Sequence, residues 1–255
     1  MAGWRELGWD GLINGRELGG LPVRDGYVRW GAVVRAGNPV RLSADGWAAL
    51  WAHGVRTVVD LTDGVEDGPD RAPRPAGLST LHLPLDDPAD TEFQDRWGGA
   101  LSCTPLYYPA FVRRYPRRLA EVVGAIATAR PGGVLVHCGS GRDRAGLVVL
   151  VLLGLLGAAP EVIAADHALS HAPLGALAAA EGRPDDAPEI RRLLAAHGSS
   201  TADVAREVVE AHDLAAELRA AGLTGGELAA LRERALGRVR PARPDRPIDT
   251  PFLHG

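Results

Sequence analysis

Residues 134–146 read VLVHCGSGRDRAG, and this order of residue types predicts the local fold. The aliphatic residues at 134–136 favour a buried strand, and the glycines that follow favour a loop. The apolar residues beyond Arg144 then predict a helix that other parts of the protein enclose. A strand that passes through a short loop into a helix indicates an α/β fold.

The loop combines a thiol with groups that bind anions. Cys138 stands where the strand ends, and Arg144 stands where the helix begins. Gly139 and Gly141 allow several backbone N–H groups to turn toward one anion beside the helix N-terminus. The same helix end and the guanidinium are expected to lower the pKa of the thiol and make it a thiolate. The pattern predicts a cysteine nucleophile in a phosphate-binding loop; the alternative is a small buried cysteine at a strand end.

Patterns elsewhere in the chain predict further strands and helices. Strands are expected at 55–61, 78–85 and 132–137, with a hairpin around Asp25 and Gly26. Helices are expected at 43–54, 107–129, 145–159 and 159–170, with several more after residue 172. We expect a single domain over residues 1–240, with a helical elaboration at 172–237, and a flexible tail rich in Pro and Arg at 241–255.

Composition limits the classes of function. The chain of 255 residues is 46% hydrophobic, has a formal net charge of -4, and carries 28 basic residues that are all arginine. The hydrophobic fraction suffices for a core, but the charge does not favour the basic face of a general nucleic-acid or membrane-surface binder. The longest apolar run, at 145–159, is shorter than the ~20 residues that cross a bilayer. We therefore predict no nucleic-acid partner and no membrane insertion.

Cysteine usage and the first residues predict the compartment. The two cysteines, Cys103 and Cys138, do not make a disulfide framework, and no Cys/His spacing typical of zinc is present. Residues 1–14 contain no apolar block, so no secretory signal is expected. The sequence thus predicts a reducing, cytoplasmic location and neither a metal nor a cofactor.

The loop and its flanks resemble a known family. HCGSGRDRAG, at 137–146, resembles the signature loop of the protein tyrosine phosphatase superfamily, above all its bacterial branch, in which the loop commonly reads HC-x-x-G-K-D-R-T-G. Four further segments are similar to that branch: NGRELGG at 14–20, GVRTVVDL at 54–61, ADHALS at 165–170 and LRAAGLTGGELAALRERAL at 218–236. The resemblance implies a central, mostly parallel twisted sheet flanked by helices, with additional C-terminal helices.

The resemblance also implies roles for the loop residues. Cys138 is expected to attack phosphorus and form a phosphocysteine, while Arg144 binds the phosphate with the loop N–H groups. His137 is expected to brace the thiolate and its loop. The remaining loop residues are expected to contact the phosphate: Gly139, Ser140, Gly141 and Arg142.

The acid that protonates the leaving oxygen has two candidate positions. The resemblance points to Asp143. The residues themselves argue against it, because Arg142 and Arg144 should lower the pKa of Asp143 and make it a poor donor. Asp86 and Asp87, in the loop after the strand at 78–85, are the alternatives.

Several positions depart from the family pattern. Ala145 replaces a Thr or Ser whose hydroxyl helps the sulfur to leave, so slower breakdown of the phosphoenzyme is expected. Arg142 replaces a Lys and is able to contact a second phosphate or an acidic group. Glu17 and Thr62 change the rim of the site. The substrate is therefore not inherited directly from the family.

Three functions follow from these patterns. The first is metal-independent hydrolysis of phosphotyrosine or related protein phosphates through a phosphocysteine. The second is the same chemistry on a small molecule such as a phosphoinositide, a sugar phosphate or a nucleoside phosphate. The third is phosphate binding without turnover, which Ala145 and the uncertain acid suggest.

Other polar and aromatic residues have both a binding and a packing interpretation. Arg16 and Glu17 either line the pocket or form a structural ion pair. Asp60 is expected to be a hydrogen-bonding acid at a strand end. Tyr107 and Tyr108 either flank an aromatic substrate or pack in the core.

Overall fold

Eight strands, eleven α-helices and three short 3-10 turns make up the part of the chain that the computed structural model describes, residues 5–64 and 68–237. The strands are β1 (Arg16–Glu17), β2 (Pro22–Val23), β3 (Gly26–Val28), β4 (Val33–Ala36), β5 (Val55–Asp60), β6 (Ser79–His82), β7 (Gly133–His137) and β8 (Leu236–Gly237). The predicted tail at 241–255 lies outside the described residues. The division into one domain and a tail stays a prediction.

Four α-helices of the described chain are interspersed among the first seven strands, and seven helices follow one another after β7. They are α1 (Ala44–Ala52), α2 (Thr91–Trp97), α3 (Tyr108–Arg114), α4 (Pro116–Thr128), α5 (Asp143–Leu155), α6 (Pro160–Ala168), α7 (His171–Ala180), α8 (Ala187–Ala196), α9 (Thr201–Ala211), α10 (Leu214–Ala220) and α11 (Gly225–Ala235). Among them no helix has the length and apolar character needed to span a membrane.

The central sheet has the strand order β1-β4-β7-β5-β6. Strands β4, β7, β5 and β6 are parallel, and only the edge strand β1 is antiparallel to its neighbour within the described residues. This arrangement confirms the α/β class with a mostly parallel sheet. A second, antiparallel sheet, β2-β3-β8, joins the hairpin predicted around Asp25 and Gly26 to the end of the described chain.

Both faces of the central sheet are covered, which explains the continuous apolar run in β7. All five residues of this strand are buried. Val134 and Val136 belong to the larger core together with the side chains of α5, whereas Leu135 belongs to a smaller core with Trp47 and Leu50 of α1. Neighbouring residues of a strand point to opposite faces, so a strand covered on both sides needs apolar residues at every position.

Helix α5 is the central helix of the larger core. Its buried residues are Ala145, Gly146, Leu147, Val148, Val149, Leu150, Val151, Leu152, Leu153 and Leu155. The helix begins and ends earlier than the predicted 145–159. It ends because Gly157 adopts a φ of 77°, and the N–H of Ala158 then bonds back to the carbonyl of Leu153 at 2.9 Å.

The single helix predicted at 107–129 is wrong, because the structure has two helices there. Helix α3 ends at Arg114, and α4 begins at Pro116 after Tyr115 with φ -127° and ψ 45°. Proline lacks the N–H that an unbroken helix needs, and it disfavours helical geometry in the preceding residue. The strand predicted at 78–85 is likewise shorter, Ser79–His82.

Candidate active site

The loop between β7 and α5 is pressed against the neighbouring strand β4. Five residues, 138–142, lead from the last residue of β7 to the first residue of α5. Gly141 has a φ of +71°, and a Cβ there would lie 2.3 Å from the carbonyl carbon of Ala36. Glycine is therefore required at Gly141 by both its backbone conformation and the available space.

Cys138 lies inside this loop with a cation and two backbone donors acting on its sulfur. Burial raises the pKa of the thiol, whereas Arg144 and the N–H groups of Ala145 and Gly141 lower it. Since burial is the largest influence on a residue that is 1% exposed, the net pKa is raised and the predicted lowering is wrong. The structure does bring the thiol, the guanidinium and the loop N–H groups together as the sequence predicted.

Only one of the two aspartates in the loop after β6 contacts the guanidinium of Arg144. Its Nη1 lies 3.1 Å from Oδ2 of Asp86. Asp87 instead accepts a hydrogen bond from Arg118 of α4 at 2.8 Å. Of these two candidates for the acid, Asp86 is therefore the one beside Arg144, the side chain predicted to bind phosphate.

Asp143 occupies the first turn of α5 next to the loop. Its Oδ1 accepts a hydrogen bond from Nε of Arg142 at 3.1 Å. Burial raises the pKa of Asp143, and Arg142 only partly opposes it. The sequence predicted a lowered pKa from the neighbouring arginines; this expectation is wrong because desolvation of the carboxylate is the larger effect.

Arg142 is held by an aspartate from the C-terminal helices. It is 3% exposed, and its two terminal nitrogens bind the carboxylate of Asp186 at 2.8 and 2.9 Å. Asp186 immediately precedes α8, and sequence reasoning missed it. Its position before a helix is a signal for a cap, but the contact joins segments that lie 44 residues apart and only tertiary structure reveals it.

His137 lies at the end of β7, and Asp60 lies at the end of the adjacent strand β5. Nε2 of His137 is 3.7 Å from Oδ1 of Asp60. Burial lowers the pKa of His137 to about 4, so the ring is neutral near pH 7. Asp60 accepts hydrogen bonds from the backbone N–H and the hydroxyl of Thr62 at 2.9 and 2.7 Å, which is the structural role the sequence predicted.

Other residues considered in the sequence have packing roles in the structure. Tyr107 and Tyr108 are buried edge to face with ring centroids 4.9 Å apart, and the Tyr108 hydroxyl donates to the carbonyl of Asp143 at 2.9 Å. The buried Glu17 pairs with His53, so it does not form the rim of the pocket. Among the described residues no three or more His, Cys, Asp or Glu side chains are grouped to hold a metal ion.

Comparison with known proteins places this loop in a family context. A family model described as the tyrosine phosphatase family matches residues 7–237. A protein of Cupriavidus necator whose name assigns it provisionally to the tyrosine-protein phosphatases is 30% identical over 174 residues, which cover 66% of this chain and 63% of that protein. A triple specificity protein phosphatase of Mycobacterium tuberculosis is 30% identical over 176 residues, covering 56% of this chain and 62% of that protein.

A third relative is a tyrosine-protein phosphatase of Nostoc commune, 28% identical over 174 residues that cover 68% of this chain and 56% of that protein. In all three comparisons the chain spans less than two thirds of the relative's length. The family match itself extends from before β1 to the last residue of β8. The chain belongs to the tyrosine phosphatase family.

Proposed function

We propose that this chain is a metal-independent phosphomonoester hydrolase that works through a phosphocysteine in the reducing cytoplasm. One observation carries the proposal: the Arg144 guanidinium and the N–H groups of Gly141 and Ala145 all act on the sulfur of Cys138. A nucleophile surrounded by donors in this way is suited to attack the phosphorus of a phosphate whose oxygens those donors bind.

The first step transfers the phosphoryl group to the enzyme. The Cys138 thiol first gives its proton to bulk water, and the resulting thiolate forms a bond to phosphorus while the bond from phosphorus to the substrate oxygen breaks. Arg144 and the loop N–H groups hold the remaining phosphate oxygens. Asp143 gives its proton to the leaving oxygen, a role that its raised pKa supports because more of the carboxyl stays protonated near neutral pH.

The second step returns the enzyme to its starting state. Water forms a bond to phosphorus, the S–P bond breaks, and the Asp143 carboxylate takes the proton from the water. Ala145 is fully buried in the first turn of α5 and offers no hydroxyl to the departing sulfur. We therefore expect this step to be the slower one and the phosphoenzyme to accumulate.

Hydrolysis of para-nitrophenyl phosphate in the presence of a chelator tests the proposal. We expect activity in the wild type, with an initial burst of nitrophenol that matches the enzyme concentration, since breakdown of the intermediate is slow. The Cys138→Ser variant should lose about 10³-fold or more in kcat. Mass spectrometry of the quenched wild type should find a phosphate on Cys138.

Cys103→Ser is the matched control. Cys103 lies in the short 3-10 turn Gly99–Cys103, and burial raises the pKa of its thiol as it does for Cys138. Removing it should leave hydrolysis unchanged. Full activity in Cys138→Ala would refute the nucleophile assignment, and an inactive wild type that still binds phosphate would favour a binding module without turnover.

For the substrate, we place phosphotyrosine in proteins ahead of a small-molecule phosphate. The specific support is that both terminal nitrogens of Arg142 are bound to Asp186, so this arginine is not available to a second phosphate group without breaking that contact. The name of the Mycobacterium tuberculosis relative, a triple specificity phosphatase, supports a site that accepts more than one class of substrate.

A panel of substrates separates these possibilities. We expect kcat/KM for phosphotyrosine peptides to exceed that for inositol, sugar and nucleoside phosphates. A small-molecule phosphate that is hydrolysed about tenfold or more efficiently than every phosphopeptide would reverse the order, since this corresponds to about 1.4 kcal/mol in favour of that substrate.

A further inference from the structure

The carbonyl oxygens of the phosphate-binding loop are held from the outside by the segment that contains β1 and β4. Four consecutive peptide groups take part. The contacts are Asn38 N to Gly139 O at 2.9 Å, Asn14 Nδ2 to Ser140 O at 3.0 Å, and Arg35 Nη2 to Gly141 O at 2.7 Å and to Arg142 O at 3.1 Å. The loop is therefore fixed through its carbonyl groups.

The orientation of these carbonyl groups determines the orientation of the N–H groups. A peptide unit is planar and trans, so its N–H points opposite to its C=O. Carbonyls that point toward β4 consequently turn the N–H groups of the same peptides to the other side, where Cys138 lies. The effect of the Gly141 N–H on the Cys138 sulfur agrees with this orientation for the peptide whose carbonyl, that of Ser140, is held by Asn14. In the next peptide, whose Gly141 carbonyl is held by Arg35, the N–H of Arg142 lies 3.4 Å from Oγ of Ser140.

Arg35 makes two of these contacts from an otherwise apolar strand. The other residues of β4 are Val33, Val34 and Ala36, and all four positions are buried. A guanidinium that is 1% exposed loses its hydration, and packing alone would be better served by an apolar residue. Its bonds to the loop carbonyls supply a reason for the charge at this position.

A buried carboxylate fixes the other end of the Arg35 guanidinium. Nη1 of Arg35 lies 2.9 Å from Oδ2 of Asp166, which also binds Arg5 at 2.7 Å and Arg16 at 3.3 Å. Burial raises the pKa of Asp166, but the three guanidiniums more than offset it, so this carboxyl stays ionised. Arg35 is thus clamped between Asp166 and the loop.

We infer that Arg35 is a positioning residue for phosphate binding: by holding the carbonyls of Gly141 and Arg142 against β4, it keeps the loop N–H groups turned toward the anion. Asn14 does the same for Ser140. The inference rests on the proposed function of the loop, but it concerns oxyanion binding and not turnover, and the two are separable by experiment.

Alkylation of Cys138 by iodoacetamide measures the state of the loop without any turnover. In a Cys103→Ser background, protection by increasing concentrations of tungstate, a tetrahedral oxyanion, gives the affinity of the loop for such an ion. We expect Arg35→Met to weaken this affinity about tenfold or more, because the freed carbonyl of Gly141 can turn toward the anion, whereas the carbonyl of Arg142 stays bonded to the N–H of Gly146 at 2.9 Å. Arg35→Lys should recover part of the loss, since one ammonium can reach one carbonyl.

The pH dependence of alkylation supplies a readout that general destabilisation does not move. Inward carbonyls would place partial negative charge beside the sulfur, so the pH midpoint of alkylation should rise in Arg35→Met. The matched control is Arg5→Met, which removes another buried partner of Asp166 whose remaining bond goes to the Glu17 carbonyl and not to the loop. It should lower the melting temperature but leave tungstate affinity within about twofold.

The outcomes distinguish this inference from the proposed function. A folded Arg35→Met that binds tungstate as tightly as Arg5→Met overturns the inference, even if the wild type hydrolyses phosphate esters. A wild type that binds tungstate but hydrolyses no ester overturns the proposed function alone.

If Arg35→Met does not fold, Asn14→Gly replaces it. Asn14 has a φ of 51°, a conformation that glycine adopts without strain, so this variant leaves the backbone in place while it removes the contact to Ser140 and the hydrogen bond that Asn14 Oδ1 accepts from Arg16 Nη1 at 2.7 Å. We expect its tungstate affinity to fall several-fold, about half the free-energy effect of Arg35→Met, since one neutral hydrogen bond to the loop is lost. An unchanged affinity would then overturn the inference.

Discussion

Burial sets the acid–base chemistry of the individual loop residues more strongly than their charged neighbours do. The sequence places arginines beside Asp143 and Cys138, which alone would lower both pKa values. In the structure both pKa values are raised, with burial as the first cause in each case. The result supports the proposed role of Asp143 as a proton donor, and in the proposed mechanism the thiol loses its proton before it attacks.

Asp143→Asn tests the assignment of the acid. The donor must be protonated, so kcat/KM, which reports formation of the phosphoenzyme, should fall as the pH rises through the raised pKa of Asp143, and the variant should lose this basic limb. We also expect kcat/KM to drop about 10²-fold with phenyl phosphate, and less with para-nitrophenyl phosphate, whose leaving group needs little protonation. Profiles of kcat/KM against pH for both esters test whether Asp143 is the proton donor.

Asp86→Asn is the comparison variant, because Asp86 contacts Arg144 and is about half exposed. We expect it to keep the basic limb. Loss of the limb in Asp86→Asn together with its retention in Asp143→Asn would assign the proton transfer to the loop after β6 instead.

At the scale of elements, the junction of β7, the loop and α5 depends on one glycine. Gly141→Ala would combine a left-handed φ with a Cβ only 2.3 Å from a backbone atom of β4, so the loop would have to move. Displacement of catalytic groups by about 1 Å can cost 10²-fold in rate, and we expect a loss of this size in kcat/KM. Steady-state kinetics with para-nitrophenyl phosphate measure it.

Gly182→Ala is a matched control for the backbone strain. Gly182 has a φ of +66° but nothing within 4 Å of its ideal Cβ. It should cost about 1–2 kcal/mol of stability and leave kcat/KM unchanged. Equal losses of activity in the two variants would mean that strain, and not the position of the loop, explains the effect.

At the scale of the whole molecule, the last elements of the described chain pack against elements that come much earlier in the sequence. Strand β8 pairs with β3, and α11 packs on α4 with Leu231 fully buried. Leu231→Ala should therefore reduce the free energy of unfolding by about 2–5 kcal/mol, from lost burial and the cavity left behind. Urea denaturation followed by circular dichroism measures this.

Arg232→Ala, an exposed neighbour on α11, should change stability by about 0.5 kcal/mol or less. The activity of folded Leu231→Ala should match that of the wild type. If the unfolding midpoints of the two variants coincided, α11 would not be part of the cooperative core.

The sequence by itself determined the local structures and the chemical groups of the site. The aliphatic run of β7, the glycines after Cys138 and the apolar helix that follows are visible in the order of residues, because strand and helix formation respond to neighbours a few positions away. The break at Pro116 was also readable in principle, since a proline rarely continues a helix, yet the periodicity on both sides concealed it.

The tertiary structure alone decided the ionisation and the support of that site. The raised pKa values of Cys138 and Asp143 depend on burial, which segments distant in the chain produce. The bonds from Arg35 and Asp186 cross 106 and 44 residues of sequence, and no local pattern records them. Desolvation and long-range contacts exist only once the chain is folded, so the sequence identified the groups proposed to react and the fold determines their ionisation.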